Sequence, residues 1–136
     1  MTLDAYLSIP YRSQGRDASG CDCWGLLRLV YADLLGIDLA SFADVPATSL
    51  RDVARLIARH KAEWIKVDRP ARFDAVILKT IGGEKASRHL DAHVGIAVDH
   101  RRFLHTEAAF GPRVERFDGP VAKRRIVEFR RHASRI

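Results

Sequence analysis

Apolar residues in the first half of the chain recur at the spacing of amphipathic helices. One apolar run starts near Leu26 and stops at Gly36, a residue type that commonly ends helices. Three polar residues compete to cap its start, namely Asp17, Ser19 and Asp22. A second helix is predicted over residues 49–62, with arginines on its outer side. Its inner stripe consists of Leu50, Val53, Ala54, Leu56 and Ile57.

The second half of the chain has the alternation and turn residues of strands. Five strands are predicted, over residues 73–79, 92–98, 102–107, 112–117 and 124–130. Residues 80–91 join the first two and include Gly82 and Gly83, and a connection of this length is predicted to be a rim loop or partly mobile. The 136 residues are predicted to form one α+β domain, spanning residues 1–136.

Two histidines flank one of the predicted turns. If residues 99–101 form the turn of a hairpin, His93 stands opposite Glu107 and Gly95 stands opposite His105. His93 and His105 then become diagonal neighbours on one face, roughly 7–8 Å apart by Cα. The small Gly95 beside them predicts that a helix packs closely over this face. A slip of one residue in one strand would instead place the two histidines on opposite faces.

Composition excludes several classes of protein. Apolar residues make up 47% of the chain, but no apolar run approaches the ~20 residues that span a bilayer, so no membrane insertion is expected. The first six residues include Asp4 and lack a basic region, which is not the pattern of a secretory signal. The C-x-C spacing of Cys21 and Cys23 does not suggest a disulfide framework and indicates a reducing compartment. The net charge of +6 favours polyanionic or carboxylate-rich partners and also maintains solubility.

Cys23 is a candidate nucleophile, because it lies near the predicted start of a helix and histidines follow elsewhere in the chain. Backbone N–H groups and the helix dipole favour a thiolate at a helix start, and they could also hold an oxyanion. His93 is the candidate base, and His105 is the candidate partner that fixes its tautomer. Gly25 in the first turn costs about 1 kcal/mol relative to alanine, so another backbone or a ligand is expected to approach closely there.

The same residues resemble motifs of the NlpC family of cell-wall cysteine peptidases. Residues 9–11 (IPY) and 20–26 (GCDCWGL) resemble its N-terminal signature. Residues 72–76 (RFDAV) stand where the family has a strand that begins with Gly-Asp. Residues 92–96 (AHVGI) and 102–105 (RFLH) resemble its two histidine elements, and the ordered motifs cover about residues 9–130.

The resemblance implies a papain-like α+β fold, in which N-terminal helices include a cysteine helix packed on an antiparallel sheet that carries the histidines. The implied activity is hydrolysis of the peptide stems of peptidoglycan, commonly between γ-D-glutamate and diaminopimelate. Two positions depart from the family pattern. Cys21 stands where an aromatic residue is usual, and Phe73 replaces the glycine that normally precedes Asp74.

Site residues follow from the same resemblance. It implies a catalytic triad of Cys23, His93 and His105. The predicted contacts with substrate or oxyanion come from Tyr11, Asp22 and Trp24. The resemblance implies neither a cofactor nor a metal.

The residue Trp24 and the ending RRIVEFRR, residues 124–131, are more similar to the phage-tail branch of the family than to its secreted members. This resemblance implies a protein that is made in the host cytoplasm, carried in the virion at the phage tail tip, and active at the cell wall. Its expected partners are peptidoglycan stem peptides and other tail-tip or baseplate proteins. The alternative is a structural tail-tip subunit with the same fold and weak or no hydrolytic activity.

The same residues allow other interpretations. Cys23 could be a buried core thiol, and Cys21 is expected to be structural. Cys21 and Cys23 with His89 and His93 supply four potential metal ligands, but C-x-C is tighter than usual zinc spacing and the gap to the histidines is very long. The basic tail, residues 130–135, lacks interleaved aromatic residues, so nucleic-acid binding is not expected.

Overall fold

The structure, a computed structural model, describes residues 3–80 and 90–135. Its strands in these ranges are β1 (Arg16–Asp17), β2 (Gly20–Cys21), β3 (Trp64–Val67), β4 (Ala75–Leu78), β5 (His93–Ala97), β6 (Arg102–Glu107), β7 (Gly111–Arg116) and β8 (Ile126–His132). The first two strands form a small hairpin. The other six form an antiparallel sheet in the order β3-β8-β4-β5-β6-β7, which confirms the predicted α+β fold.

The helices are shorter than the sequence pattern suggests. Helix α1 (Cys23–Val30) continues as a π-helical segment, Tyr31–Leu35, which ends at Gly36 with a φ of 65°. Helix α2 (Leu50–His60) is followed by a 3₁₀ turn, Lys61–Glu63. A short helix α3 (Ala122–Arg125) precedes β8. None of the helices in the described part of the chain has both the length and the apolar character needed to cross a bilayer.

All five predicted strands exist, with ends shifted by up to two residues. The last strand begins and ends two residues later than predicted. Residues up to Arg125 are helical, and β8 extends to His132. Strand β3 was missed, since it is a four-residue edge strand that buries only Trp64 fully and has charged neighbours. The N-terminal 3₁₀ helix, Leu3–Ser8, was also missed. Residues 81–89 of the predicted rim loop lie outside the described residues.

The cysteine helix packs on one face of the sheet, but not on the face that was predicted. The apolar side chains of α1 join Val94, Ile96 and Leu104 in the larger core cluster. The opposite face carries Ala97 and Phe103 in a second cluster. The branched and larger side chains of the first face supply the apolar area that the helix needs, so packing over the histidine face was a wrong prediction.

The inner stripe of α2 is only half-buried, and no residue of this helix reaches the fully buried class. The predicted pattern of apolar and basic positions is therefore correct, while the degree of burial it suggested is not. An amphipathic helix of this kind gains less from burial than the core strand β4, whose four residues are all buried.

Phe73 adopts a backbone conformation that suits glycine. Its φ is 75°, in the left-handed region that L residues rarely adopt. The strain costs of order 1–3 kcal/mol. Its N–H donates to the carbonyl of Ala97 at 2.8 Å, and its ring lies beneath the guanidinium groups of Arg72 and Arg135 at 4.8 and 5.0 Å. These contacts hold the chain in the conformation for which a glycine is otherwise usual.

Candidate active site

Cys23 is the first residue of α1, and Asp22 caps the helix. The Asp22 carboxylate accepts hydrogen bonds from the backbone N–H groups of Gly25 and Gln14, both at 2.9 Å, and from Arg16 at 2.8 Å. Of the three predicted cap candidates, Asp22 is therefore the cap. Its buried carboxylate is occupied within the chain, and its predicted contact with substrate stays a prediction.

The close approach expected at Gly25 is present. A Cβ atom placed on Gly25 would lie 2.0 Å from the carbonyl oxygen of Gly15, and one on Gly15 would lie 2.2 Å from the carbonyl oxygen of Gly20. Both contacts are made by backbone atoms, which cannot move aside as a flexible side chain can. The chain at Gly15, just before β1, thus approaches the first turn of α1 so closely that only glycine fits at position 25, and it approaches Gly20 of β2 equally closely.

The two cysteines have different surroundings. Cys23 is partly exposed, whereas Cys21 is 1% exposed and donates a hydrogen bond from its thiol to the Asp17 carbonyl at 3.1 Å. Burial raises the pKa of Cys21 to about 11. Burial, followed by the negative charge of Asp22, raises the pKa of Cys23 to about 12. The N–H groups of Val94 and Trp24 favour the thiolate, so they oppose this increase. The Cys23 thiol is therefore protonated at neutral pH, and it needs a base in order to act as a nucleophile.

The predicted hairpin register is correct. Ile96 pairs with Leu104 and Ala97 with Phe103, which is the register that makes His93 and His105 diagonal neighbours. The Nε2 atom of His93 lies 2.8 Å from the Nδ1 atom of His105. Both rings are almost fully buried, at 5% and 1% exposure. The structure therefore brings the two predicted histidines into direct hydrogen-bond contact.

Helix α1 packs against β5 and β6, and the Val94 N–H that influences the Cys23 sulfur belongs to the residue after His93. Among the described residues, no hydrogen bond joins this sulfur to either histidine. Bonds of catalytic groups are often long in unliganded structures and shorten when substrate binds. The Cys23 sulfur thus lies beside the main chain of β5 at Val94, the residue that follows His93.

Three charged residues around the histidines were not predicted as site residues. Glu115 of β7 contacts the Nε2 atom of His105. Glu107 of β6 is held by both terminal nitrogens of Arg125, at 2.8 and 2.9 Å, and Arg125 is 4% exposed. The alternation of side chains along β6 and β7 could have predicted Glu115 as a site residue. Glu115 pairs with Phe103, and this pairing places its carboxylate on the face of His105.

Burial keeps both histidines neutral at pH 7. Burial and then the neighbouring His105 lower the pKa of His93 to about 3. Burial also lowers the pKa of His105, although Glu107 and Glu115 oppose this effect. Burial would raise the pKa of Glu107, but the hydrogen bonds from Arg125 and the nearby histidines lower it to about 2. The site therefore combines neutral imidazoles with an ionised glutamate that is paired with arginine.

Tyr11 and Trp24 border the site from two other sides. Tyr11 is half-buried, and burial followed by the charges of Cys23 and Asp22 raises the pKa of its hydroxyl to about 12, so it is a hydrogen-bond donor at neutral pH. Trp24 donates from Nε1 to the carbonyl of Ala40 at 2.8 Å. Their predicted contacts with substrate stay predictions.

An apolar pocket of about 110 Å³ adjoins Cys23. Its walls come from α1, α2 and the sheet, and include Trp24, Phe42, Ile57 and Val94. A group bound at the sulfur would have room for an apolar portion in this pocket.

The donor atoms of His93, His105 and Glu107 all lie within 4.8 Å of one another, as metal ligands would. These groups already have partners, since the two rings bond each other and Glu107 is paired with Arg125. Cys21 is not part of the group, and His89 lies outside the described residues. The arrangement is explained by hydrogen bonding within the chain.

The sequence matches the NlpC/P60 family over residues 8–131. The chain belongs to this family. No curated protein shows significant similarity to the chain. The chain has the papain-like α+β fold that its resemblance to the family predicted.

Several solved structures have the same fold. The domain of the peptidoglycan hydrolase SagA is 22% identical, with a TM-score of 0.60, over 93% of this chain and 90% of that one. A lipoprotein-like family member from Staphylococcus aureus is 21% identical, with a TM-score of 0.62, over 94% of this chain. A family protein from Bacillus cereus is 20% identical, with a TM-score of 0.64, over 95% of this chain. The chain spans only 38% and 37% of these last two proteins.

Proposed function

We propose that the protein is a cysteine peptidase that hydrolyses the peptide stems of peptidoglycan. The observation that carries this proposal is the buried hydrogen bond between His93 and His105, on the strands β5 and β6 against which the helix that begins with Cys23 packs. Membership of the NlpC/P60 family and the fold shared with a peptidoglycan hydrolase support the same class of substrate.

In the proposed reaction, His93 removes the thiol proton of Cys23 as the sulfur attacks the carbonyl carbon of the scissile amide. The resting site holds a thiol and a neutral imidazole, because burial raises the pKa of one and lowers the pKa of the other. The proton therefore moves during attack instead of residing on the histidine beforehand. His93 then gives this proton to the leaving amine, and water hydrolyses the thioester to regenerate the thiol.

His105 acts through His93 in this proposal. Its bond to Nε2 of His93 fixes the ring and stabilises the imidazolium that forms during attack. In this proposal a backbone N–H group at the start of α1 stabilises the oxyanion, and the hydroxyl of Tyr11 donates a further hydrogen bond. Asp22 holds the helix start in place, and Trp24 forms part of the wall beside the sulfur.

The bond proposed as substrate is the one between γ-D-glutamate and diaminopimelate, in line with the family resemblance. Stem peptides carry several carboxylates, and the net charge of +6 on the chain is complementary to them. We assign the protein to a phage tail tip, with tail-tip or baseplate proteins as partners. The tryptophan at position 24 and the basic ending of the chain, as phage-tail members have them, support this placement.

A digest of purified diaminopimelate-type peptidoglycan, analysed by mass spectrometry, tests the reaction. Wild-type protein should release products cut after γ-D-glutamate, and Cys23→Ala should release none. Cys21→Ala is the matched control and should remain active, because this thiol is buried in the core and bonds to the Asp17 carbonyl. Equal release by wild type and Cys23→Ala would refute the proposed nucleophile.

The placement at a phage tail needs a separate test. Particles released by producing cells can be purified on a density gradient and probed with an antibody against the protein. Co-sedimentation with tails is the expected result. Recovery only in the free protein fraction would refute the tail placement. The peptidase activity is tested separately by the peptidoglycan digest.

A further inference from the structure

Glu115 is the outermost of a row of groups that runs through the two histidines. Its carboxylate contacts Nε2 of His105, and Nδ1 of His105 lies 2.8 Å from Nε2 of His93. Glu115 pairs with Phe103 across the sheet and so shares the face of His105. Each of the two bonds uses a different nitrogen of the His105 ring. In a neutral ring, a hydrogen on one nitrogen therefore leaves the other nitrogen as an acceptor.

The hydrogen positions follow from the chemistry of the partners. An ionised carboxylate can only accept, so Nε2 of His105 carries the hydrogen that faces Glu115. A neutral histidine has one ring hydrogen, and Nδ1 of His105 must therefore accept. The Nε2 atom of His93 then donates to it. The remaining nitrogen of His93, Nδ1, is left with a free lone pair.

Glu107 could in principle reverse this order, since its carboxylate lies 3.6 Å from Nδ1 of His105. That separation is beyond a hydrogen bond, and Arg125 holds both oxygens of Glu107. Arg125 thus keeps the competing acceptor away from Nδ1. A further charged side chain among the described residues is Arg113, whose Nε lies 3.4 Å from the Glu115 carboxylate.

We propose that Glu115 is a positioning residue of the Cys23 site, which fixes the tautomer of His105 and through it makes Nδ1 of His93 the base. This proposal rests on the proposed function, because it assigns a role within the same reaction. When the Cys23 proton moves to Nδ1, His93 carries hydrogens on both nitrogens. Its positive charge is then stabilised along the row that ends at the Glu115 carboxylate.

Side-chain NMR of histidines in ¹⁵N-labelled protein tests the tautomers without any enzyme assay. In the wild-type protein, His93 and His105 should each carry the hydrogen on Nε2. Glu115→Gln keeps an oxygen acceptor and should keep this pattern, whereas Glu115→Leu should lose it. A hydrogen on Nδ1 of His105 in the wild-type protein would overturn the proposal, whether or not the variants fold.

Two kinetic readouts accompany the NMR measurement. Glu115→Leu should lower kcat for stem cleavage by about 10- to 100-fold, the range for outer partners of functional histidines, with little change in KM. It should slow alkylation of Cys23 by iodoacetamide at pH 7, and Glu115→Gln should recover part of both rates. Asp118→Asn, which removes an exposed carboxylate just beyond β7, is the matched control and should change neither.

The failures of the two proposals are distinguishable. Absence of stem cleavage by the wild-type protein would refute the proposed function, while the alkylation rates and the tautomers would still report on Glu115. Wild-type alkylation and tautomers in a folded Glu115→Leu protein would overturn the role of Glu115 and leave the peptidase proposal unchanged.

Discussion

The Nε2 atom of His93 lies 2.8 Å from the Nδ1 atom of His105, although the two residues are twelve positions apart in the chain. The hairpin of β5 and β6 makes this contact possible by placing both rings diagonally on one face. Because each ring is buried, the hydrogen bond between them is shielded from water and from competing partners.

His105 should be needed for turnover and not for folding alone. We expect His105→Ala to lower the rate of stem-peptide cleavage strongly, since His93 loses the acceptor that fixes its tautomer. His105→Asn should retain more activity than His105→Ala, because an amide can still hydrogen-bond without titrating. Circular dichroism checks the fold, and His100→Ala, a change at an exposed histidine, is the control. Wild-type turnover in His105→Ala would leave Cys23 and His93 as a dyad.

Acid should destabilise the protein through its neutral buried histidines. An unfolded histidine titrates near pH 6.5, whereas the pKa of His93 in the fold is about 3. Between these values the unfolded chain binds more protons, so stability is complete above pH 6.5 and falls as the pH decreases. The loss from Glu107, whose pKa falls from 4.5 to about 2, begins only below about pH 4.5.

Comparison of melting temperatures at pH 7 and pH 5 therefore isolates the histidines. The decrease should be smaller in His93→Gln than in wild type, with the remaining decrease assigned to His105, whose pKa burial also lowers. His100→Gln should show the full wild-type decrease. Equal decreases in His93→Gln and wild type would contradict the buried neutral state of His93.

The pair between Arg125 and Glu107 should be important for stability. Arg125→Met removes both hydrogen bonds to Glu107 and leaves a largely buried carboxylate without a counter-charge, which we expect to cost about 3 kcal/mol. The double variant with Glu107→Gln should recover part of this free energy. Urea unfolding measures both, with Arg116→Met at an exposed ion pair as a control of little effect. Equal stability of Arg125→Met and wild type would show that the pair is dispensable.

Gly25→Ala should destabilise the fold, although alanine favours helices by about 1 kcal/mol over glycine. The added Cβ would overlap the Gly15 carbonyl oxygen at 2.0 Å, and overpacking of this kind costs about 1–3 kcal/mol or more. Gly119→Ala is the control, because its nearest contact would be 3.3 Å away. Thermal unfolding compares the two, and a Gly25→Ala protein as stable as wild type would contradict the tight contact.

Helix α2 should open more readily than the sheet. None of its residues is fully buried, whereas every residue of β4 and β5 is. Local opening free energy follows buried apolar contact, so amides of α2 should exchange with deuterium before those of the two strands. Equal protection of α2 and β5 would show that the helix is held by contacts beyond its half-buried stripe.

The sequence predicted those features that depend on local periodicity and turn chemistry. The hairpin register followed from one turn, and it correctly placed His93 beside His105. The prediction of the face on which α1 packs was wrong, because the apolar area of Val94 and Ile96 stabilises the packing more than the small size of Gly95 does.

Partners that are far apart in the chain were harder to predict. Arg125 reaches Glu107 from a different part of the chain, and no spacing rule connects them. Strand alternation could place Glu115 on the same face as His105. Only the side-chain contact between the two residues identifies Glu115 as part of the site. The backbone conformation of Phe73 had no sequence signal except the missing glycine.

The fit of Gly15 and Gly25 has a consequence for how this site can change over evolution. The start of α1 is held by contact between two stretches of main chain and by the Asp22 cap, so the place of Cys23 does not depend on the apolar side chains around the pocket. Apolar residues such as Phe42 and Ile57 can therefore be exchanged without displacing Cys23. In the proposed peptidase, substrate preference can then change during evolution at a different rate from chemical competence.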